Sequence, residues 1–299
     1  EQCLATVGRE LYEKIYKNVN NIPGYNRYWH YAENIKNEKE PLKYLCENED
    51  IYWAINEGLR LLVKDKKTSR ILDIGSGLGY FTYALNMEGY NAIGIDISKE
   101  AVNNAISRFG NFFLCANTSE LEKLFPNKFD VIILGELIEH VDLPVEFIQS
   151  LKEVLKPNGS IIITTPNKSF YDEDLVWATE LPPLHLWWFS EESIKCLASM
   201  ENMLLRFINF GSYYNRKYNA INMDFFRSNS FPQPVLNSDG SLVSQYIKSH
   251  LSTPNILKQF VKKRPKLLKL YGSVRSKFNR NMKISGERGP TLSAILTKN

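Results

Sequence analysis

The 299-residue chain is 43% hydrophobic and 23% charged, with 37 Lys and Arg against 33 Asp and Glu and a formal net charge of +4. This composition excludes a disordered or fibrous protein, and the length suffices for a sizeable core in one large domain or one domain with additions. Every apolar run, Val131 to Leu134 and Ile161 to Thr165 included, is too short to cross a bilayer, and no basic segment precedes an apolar core at the N-terminus, so a cytoplasmic protein is expected.

Residues 1–55 read as a helical N-terminal cap, with Tyr25, Tyr28, Trp29, Tyr31, Tyr44, Tyr52 and Trp53 spaced through helix-compatible sequence. From Ile71 short apolar runs alternate with longer amphipathic ones, the pattern of a parallel sheet wrapped by helices. Strands are predicted at Arg70 to Ile74, Ala92 to Asp96, Phe112 to Cys115, Asp130 to Leu134 and Ser160 to Thr165. Between the last two, Val145, Ile148, Leu151, Val154 and Leu155 repeat at helical spacing until Lys156-Pro157-Asn158-Gly159 stops them. A further helix should start behind Ser190 as N-cap, with Glu191 and Glu192 in its first turn. A sixth strand is expected near Leu204 to Phe210 and a seventh at Thr291 to Thr297. The chain thus divides into a cap (1–55), a core (56–212), a basic insertion or lid (213–288) broken by Pro232, Pro234 and Pro254, and the last core strand (289–299).

Charge is unevenly spread. Lys248 to Lys283 holds eleven Lys and Arg and no Asp or Glu, leaving 26 basic and 33 acidic residues elsewhere. A stretch of this kind suits an anionic partner. Cys3, Cys46, Cys115 and Cys196 form no CxxC pair, so reduced thiols are expected rather than a zinc site.

The strongest local signal is Ile71-Leu72-Asp73-Ile74-Gly75-Ser76-Gly77-Leu78-Gly79-Tyr80, a strand entering a glycine turn and then a helix. Glycines let the backbone turn sharply and approach a ligand, while the helix N-terminus offers free N–H groups. A dinucleotide G-x-G-x-x-G from Gly75 would require glycine where Tyr80 stands. The D-x-G-x-G-x-G spacing instead resembles the first motif of class I S-adenosylmethionine-dependent methyltransferases. That resemblance continues through Asp96, Gly135-Glu136-Leu137-Ile138-Glu139-His140 and Lys156-Pro157-Asn158-Gly159. It implies a Rossmann-like α/β fold, a seven-stranded mostly parallel sheet with helices on both faces, a helical N-terminal cap and a long insertion before the last strand. It also implies S-adenosyl-L-methionine as cofactor. Asp73 would hold the methionine ammonium, Gly75 and Gly77 the turn beneath it, Asp96 with Ile97 the ribose end, Asn117 the adenine edge and Gly135 the methionine part.

Methyl transfer from a sulfonium needs an aligned acceptor and, for a hydroxyl, a base. His140 and His185 are the catalytic candidates, the second lying in Leu181-Pro182-Pro183-Leu184-His185-Leu186-Trp187-Trp188-Phe189-Ser190 beyond strand five. Local packing is the alternative role for His140, and core packing for Trp187 and Trp188. Glu136, Glu139 and His140 also resemble a segment of ubiquinone-biosynthesis O-methyltransferases for which a magnesium role has been proposed. Hard cations prefer all-oxygen shells, so no bound metal is expected. The Leu181 to Ser190 segment with the aromatic cap resembles methyltransferases of bacterial surface-glycan and secondary-metabolite sugar pathways. The expected acceptor is therefore a sugar or other polar small molecule, with the basic insertion holding an anionic form such as a nucleotide sugar or lipid-linked glycan. A lipid-linked or quinone acceptor at a membrane surface is an alternative, because Ile256, Leu257, Phe260 and Val261 lie among lysines. A nucleic-acid substrate is disfavoured, since no N/D-P-P-Y/F-type motif follows strand four.

Overall fold

The computed structural model describes residues 8–22, 25–125, 129–170, 181–216, 234–238, 240–243 and 287–299. Cys3, Pro232, Pro254 and the basic stretch from Lys248 to Lys283 lie outside the described residues.

Four helices come first: α1 (Arg9–Lys17), α2 (Asn26–Asn34), α3 (Pro41–Asn48) and α4 (Asp50–Leu62). The alternating part follows with β1 (Arg70–Ile74), α5 (Tyr80–Met87), β2 (Asn91–Asp96), α6 (Lys99–Phe109), β3 (Phe113–Cys115), α7 (Leu121–Leu124), β4 (Phe129–Gly135), α8 (Pro144–Val154) and β5 (Leu155–Pro166). The chain ends with α9 (Glu191–Met200), β6 (Met203–Phe207), α10 (Gly211–Arg216) and β7 (Thr291–Lys298). The seven strands form one sheet in the order β3-β2-β1-β4-β5-β7-β6, all parallel except β7, which runs antiparallel to both neighbours.

Strand residues alternate between two buried faces, as the near-continuous apolar runs require. Ile71, Val131, Ile133, Ile162 and Ile295 pack with α3 to α6, whereas Leu72, Ile132, Leu134, Ile161 and Ile163 pack with α7 to α9. Helix α4 lies close on the sheet because Gly58 has no side chain: a Cβ there would stand 2.9 Å from Ile162 Cδ1. The predicted N-cap at Ser190 forms a capping box with Ser193.

Two boundaries differ from the sequence pattern. Strand β5 begins at Leu155, because that residue pairs with Phe129 before the register shifts at Val131; the turn residues lie inside the strand, with Asn158 at φ 61°. Strand β6 ends at Phe207, because Asn209 Oδ1 accepts from Gly211 N at 2.8 Å and starts α10.

The chain reverses direction across the sheet between β1 and β4. In an open α/β sheet, ligands occupy the crevice outside the strand ends at that switch point.

Candidate active site

At the end of β1, Gly75, Gly77 and Gly79 all take positive φ, at 75°, 52° and 80°. This is why the turn requires glycines. The amides of Gly75 and Ser76 both donate to Ile95 O at 2.9 Å, tying the turn to β2. Gly79 serves packing, since a Cβ would meet Ala105 Cβ at 2.6 Å. Asp96 accepts from Gly77 N at 2.9 Å and from Ser98 N at 2.8 Å, and Asp73 accepts from the Thr82 hydroxyl at 2.6 Å.

Both carboxyls are buried, which raises them to about 7 for Asp73 and about 6 for Asp96. The groups that oppose burial are neutral donors, Thr82 for the first and the Ser98 and Gly77 amides for the second. A pair of such acids suits a ligand that brings its own positive charge and hydroxyl donors. The positive-φ turn leaves backbone free of side chains beside them. These residues fit S-adenosylmethionine. Ile97 is half-buried; Gly135 ends β4, where a Cβ would reach only Ile55 Cδ1 at 3.4 Å. Asn117 is exposed, with its amide donating to Glu120 at 2.9 Å and its side-chain oxygen accepting from Thr118 at 3.3 Å.

The segment after β4 turns at Glu136, a non-glycine residue at φ 52°. Conformations of this kind are costly and cluster at functional sites. The Glu136 amide donates to Thr164 O at 3.0 Å, its Oε1 is buried without a hydrogen-bond partner among the described residues, and burial followed by the Glu139 charge pushes its carboxyl well up. Glu139 is 1% exposed.

The His185 loop docks on this turn. Leu186 N and Trp187 N donate to Glu139 O at 2.8 and 3.2 Å, Trp187 Nε1 donates to Val141 O at 2.8 Å, and His140 Nδ1 donates to Leu184 O at 2.5 Å. A carbonyl only accepts, so His140 carries its proton on Nδ1 and presents a bare Nε2. The two imidazoles meet edge to face with centroids 4.6 Å apart, and His185 Nδ1 is buried without a partner among the described residues. Burial lowers both, His140 to about 4 and His185 well below its ordinary value with the neighbouring His140 adding to the effect. Both are neutral near pH 7.

One donor atom from each of Glu139, His140 and His185 falls within a 4.8 Å cluster. A carboxylate with two imidazoles suits manganese, iron, cobalt or zinc better than magnesium.

Trp187 packs against the α7–α9 core and spends its N–H on Val141, so its part in the site is to pin the His185 loop.

Helix α1, which carries no sequence motif, also reaches the site. The Tyr12 ring stands edge-on to His140 at 6.1 Å between centroids, the Tyr16 hydroxyl lies over Gly77, and Glu13 bonds the start of α6. The only sequence signal is that Tyr12 and Tyr16 share a helix face at i, i+4 spacing.

Comparison with known proteins gives the following. Residues 49–200 match the family model described as a methyltransferase domain. The chain is 32% identical over 146 residues to the mitochondrial ubiquinone biosynthesis O-methyltransferase of Dictyostelium discoideum, covering 43% of this chain and 44% of that protein. It is 35% identical over 118 residues to the ubiquinone biosynthesis O-methyltransferase of Rickettsia typhi, covering 38% and 48%. The chain therefore spans about half the length of the curated relatives it matches. A solved S-adenosylmethionine-dependent methyltransferase from Archaeoglobus fulgidus aligns with a TM-score of 0.46 at 17% identity, over 82% of this chain and 93% of that one.

Proposed function

Since the chain belongs to the methyltransferase-domain family of class I S-adenosylmethionine-dependent enzymes, we propose that it methylates a hydroxyl on an aromatic small molecule. One observation carries this reading: the neutral His140 and His185 imidazoles sit side by side at the cleft, with the Tyr12 ring against the first. The name of the matched relatives, O-methyltransferases of ubiquinone biosynthesis, supports a phenolic acceptor over a sugar.

S-adenosylmethionine, when bound, supplies a methyl group on a good leaving group. The chain's own residues do the rest. Asp73 would pair with the methionine ammonium, Asp96 beside Ile97 would accept from the ribose hydroxyls, Asn117 would border the adenine, and Gly75, Gly77 and Gly135 would let backbone approach. The acceptor hydroxyl gives its proton to an imidazole nitrogen of His140 or of His185 as its oxygen attacks. The Leu184 carbonyl keeps His140 in the tautomer this needs. The basic stretch from Lys248 to Lys283 is assigned to an anionic acceptor or to the surface that delivers one.

A second reading is favoured by the donor cluster of Glu139, His140 and His185, in which a divalent cation would hold the acceptor oxygen instead of a base removing its proton. The general test is methyl transfer from labelled S-adenosylmethionine to catechol and to a uridine diphosphate sugar, offered separately. Transfer to catechol alone is expected. Transfer to the nucleotide sugar alone would restore the carbohydrate acceptor expected from the sequence.

A further inference from the structure

Helix α1 is tied to the cofactor cleft rather than to the sheet. Glu13 accepts from Lys99 N at 2.7 Å, Glu100 N at 3.1 Å and the Ser98 hydroxyl at 3.2 Å. It thereby satisfies the free amides at the start of α6, one residue beyond the turn that follows Asp96. Burial works against its charge, but these donors outweigh it and hold the Glu13 carboxyl below its ordinary range. One turn earlier, Arg9 Nη2 donates to Cys115 Sγ at 3.4 Å, at the end of β3. One turn later, the Tyr16 hydroxyl stands 2.8 Å from where a Cβ on Gly77 would be. The helix spans the mouth of the cleft from β3 to β1.

The apolar side of α1 packs elsewhere. Leu11 and Ile15 join Ile22, Leu184, Val235 and Leu236 in a third cluster, separate from the two sheet-face cores. Gly240 lies against it, where a Cβ would be 2.6 Å from Leu11 Cδ1. A small satellite cluster can open at far lower cost than the sheet cores, because little apolar surface is exposed by its release. Asp73 and Asp96 are only 4% and 6% exposed, and both Tyr12 and Tyr16 hydroxyls feel the Asp96 charge. A ligand approaching the glycine turn at Gly77 would have to displace the Tyr16 hydroxyl.

We propose that α1 is the gate of the cofactor site, with Tyr16 as its wall over the glycine turn and Glu13 as the latch on α6, so that cofactor exchange requires the helix to lift. The inference rests on the cofactor assignment of the preceding section. It adds two positioning residues, Glu13 and Tyr16, and it couples exchange to the acceptor side, because Leu184 of the same cluster adjoins His185.

The probe is S-adenosylhomocysteine, with dissociation followed by stopped-flow displacement and affinity by calorimetry on the full chain. Glu13→Gln keeps the shape of the latch but weakens its charge-assisted bonds, and should speed release about tenfold. Tyr16→Phe should also speed release, while melting of the α/β core is unchanged in both variants. Hydrogen exchange supplies a second readout: the amides of α1 and of Lys99 to Ala101 should gain protection together when S-adenosylhomocysteine binds, and lose that gain in Glu13→Gln. If the wild type binds no S-adenosylhomocysteine, the cofactor assignment itself fails. If the wild type binds but Glu13→Gln releases at the wild-type rate with α1 protection unchanged, the gate is overturned and the assignment stands.

Discussion

His140 and His185, far apart in the chain, meet edge to face with centroids 4.6 Å apart, and the carbonyl of Leu184, next to His185, accepts a hydrogen bond from His140 Nδ1. That bond sets the His140 tautomer, with Nε2 unprotonated, and the ring contact places the two candidates beside each other.

Replacing either imidazole should therefore cost activity out of proportion to stability. His140→Ala and His185→Ala are each expected to lower kcat by about 10²–10⁴-fold with S-adenosylhomocysteine affinity intact. The double variant should lose little more than the worse single one, since groups acting together are not additive. Single-turnover rates and melting temperatures measured on the same samples decide the matter. Full activity per folded molecule in either single variant would return that residue to a packing role.

Metal dependence separates the two readings of the site. The base reading expects catechol methylation to survive dialysis against EDTA. Activity lost to EDTA and regained with manganese or zinc in preference to magnesium would favour the cation, as the carboxylate and two imidazoles of the cluster predict.

Cofactor affinity should depend on Asp73 and Asp96. Asp96→Ala is expected to weaken S-adenosylhomocysteine binding by about 1.5–3 kcal/mol, the worth of a hydrogen bond to a charged group. Burial raises both acids, to about 7 and about 6, so each must lose its proton to receive the cofactor. Affinity should accordingly climb as pH rises from about 5 to about 8, with protons released on binding. Calorimetry in buffers of different ionisation enthalpy reads that release; a pH-independent affinity would remove Asp73 and Asp96 from the site.

The same raised acids fix the sign of a stability effect in the free protein. A carboxyl that keeps its proton longer folded than unfolded stabilises the fold below its unfolded value near 4, and that contribution is lost as pH rises through about 6 and 7. Asp73→Asn should flatten this fall in a series of thermal melts between pH 4 and 8, and an unchanged slope would argue that the group is ionised throughout.

Ser190→Ala tests the helix behind the His185 loop. Loss of the capping box with Ser193 should cost about 1 kcal/mol of stability, seen as a lower melting temperature, with cofactor binding unchanged.

Much of this protein is local in origin and was therefore legible in its sequence. Strands buried on both faces must be apolar throughout, and a chain that returns across a parallel sheet needs helices between them, so the pattern from Arg70 onward spelled out the α/β core. The turn after β1 needs three positive φ angles, which marks Gly75, Gly77 and Gly79 in any reading. Tertiary structure alone decided what meets above the strand ends. The pairing of His140 with His185 depends on backbone bonds from Leu186 and Trp187 to Glu139, and backbone groups carry no sequence signature. Sequence offered core packing for Trp187, and its part as a pin on the His185 loop shows only once the acceptor of its indole N–H, Val141 O, is in place. Helix α1 was legible only as part of an aromatic cap. That Glu13 closes on the amides of α6 and Tyr16 on Gly77 follows from where a small apolar cluster seats the helix, a long-range balance that no local spacing encodes.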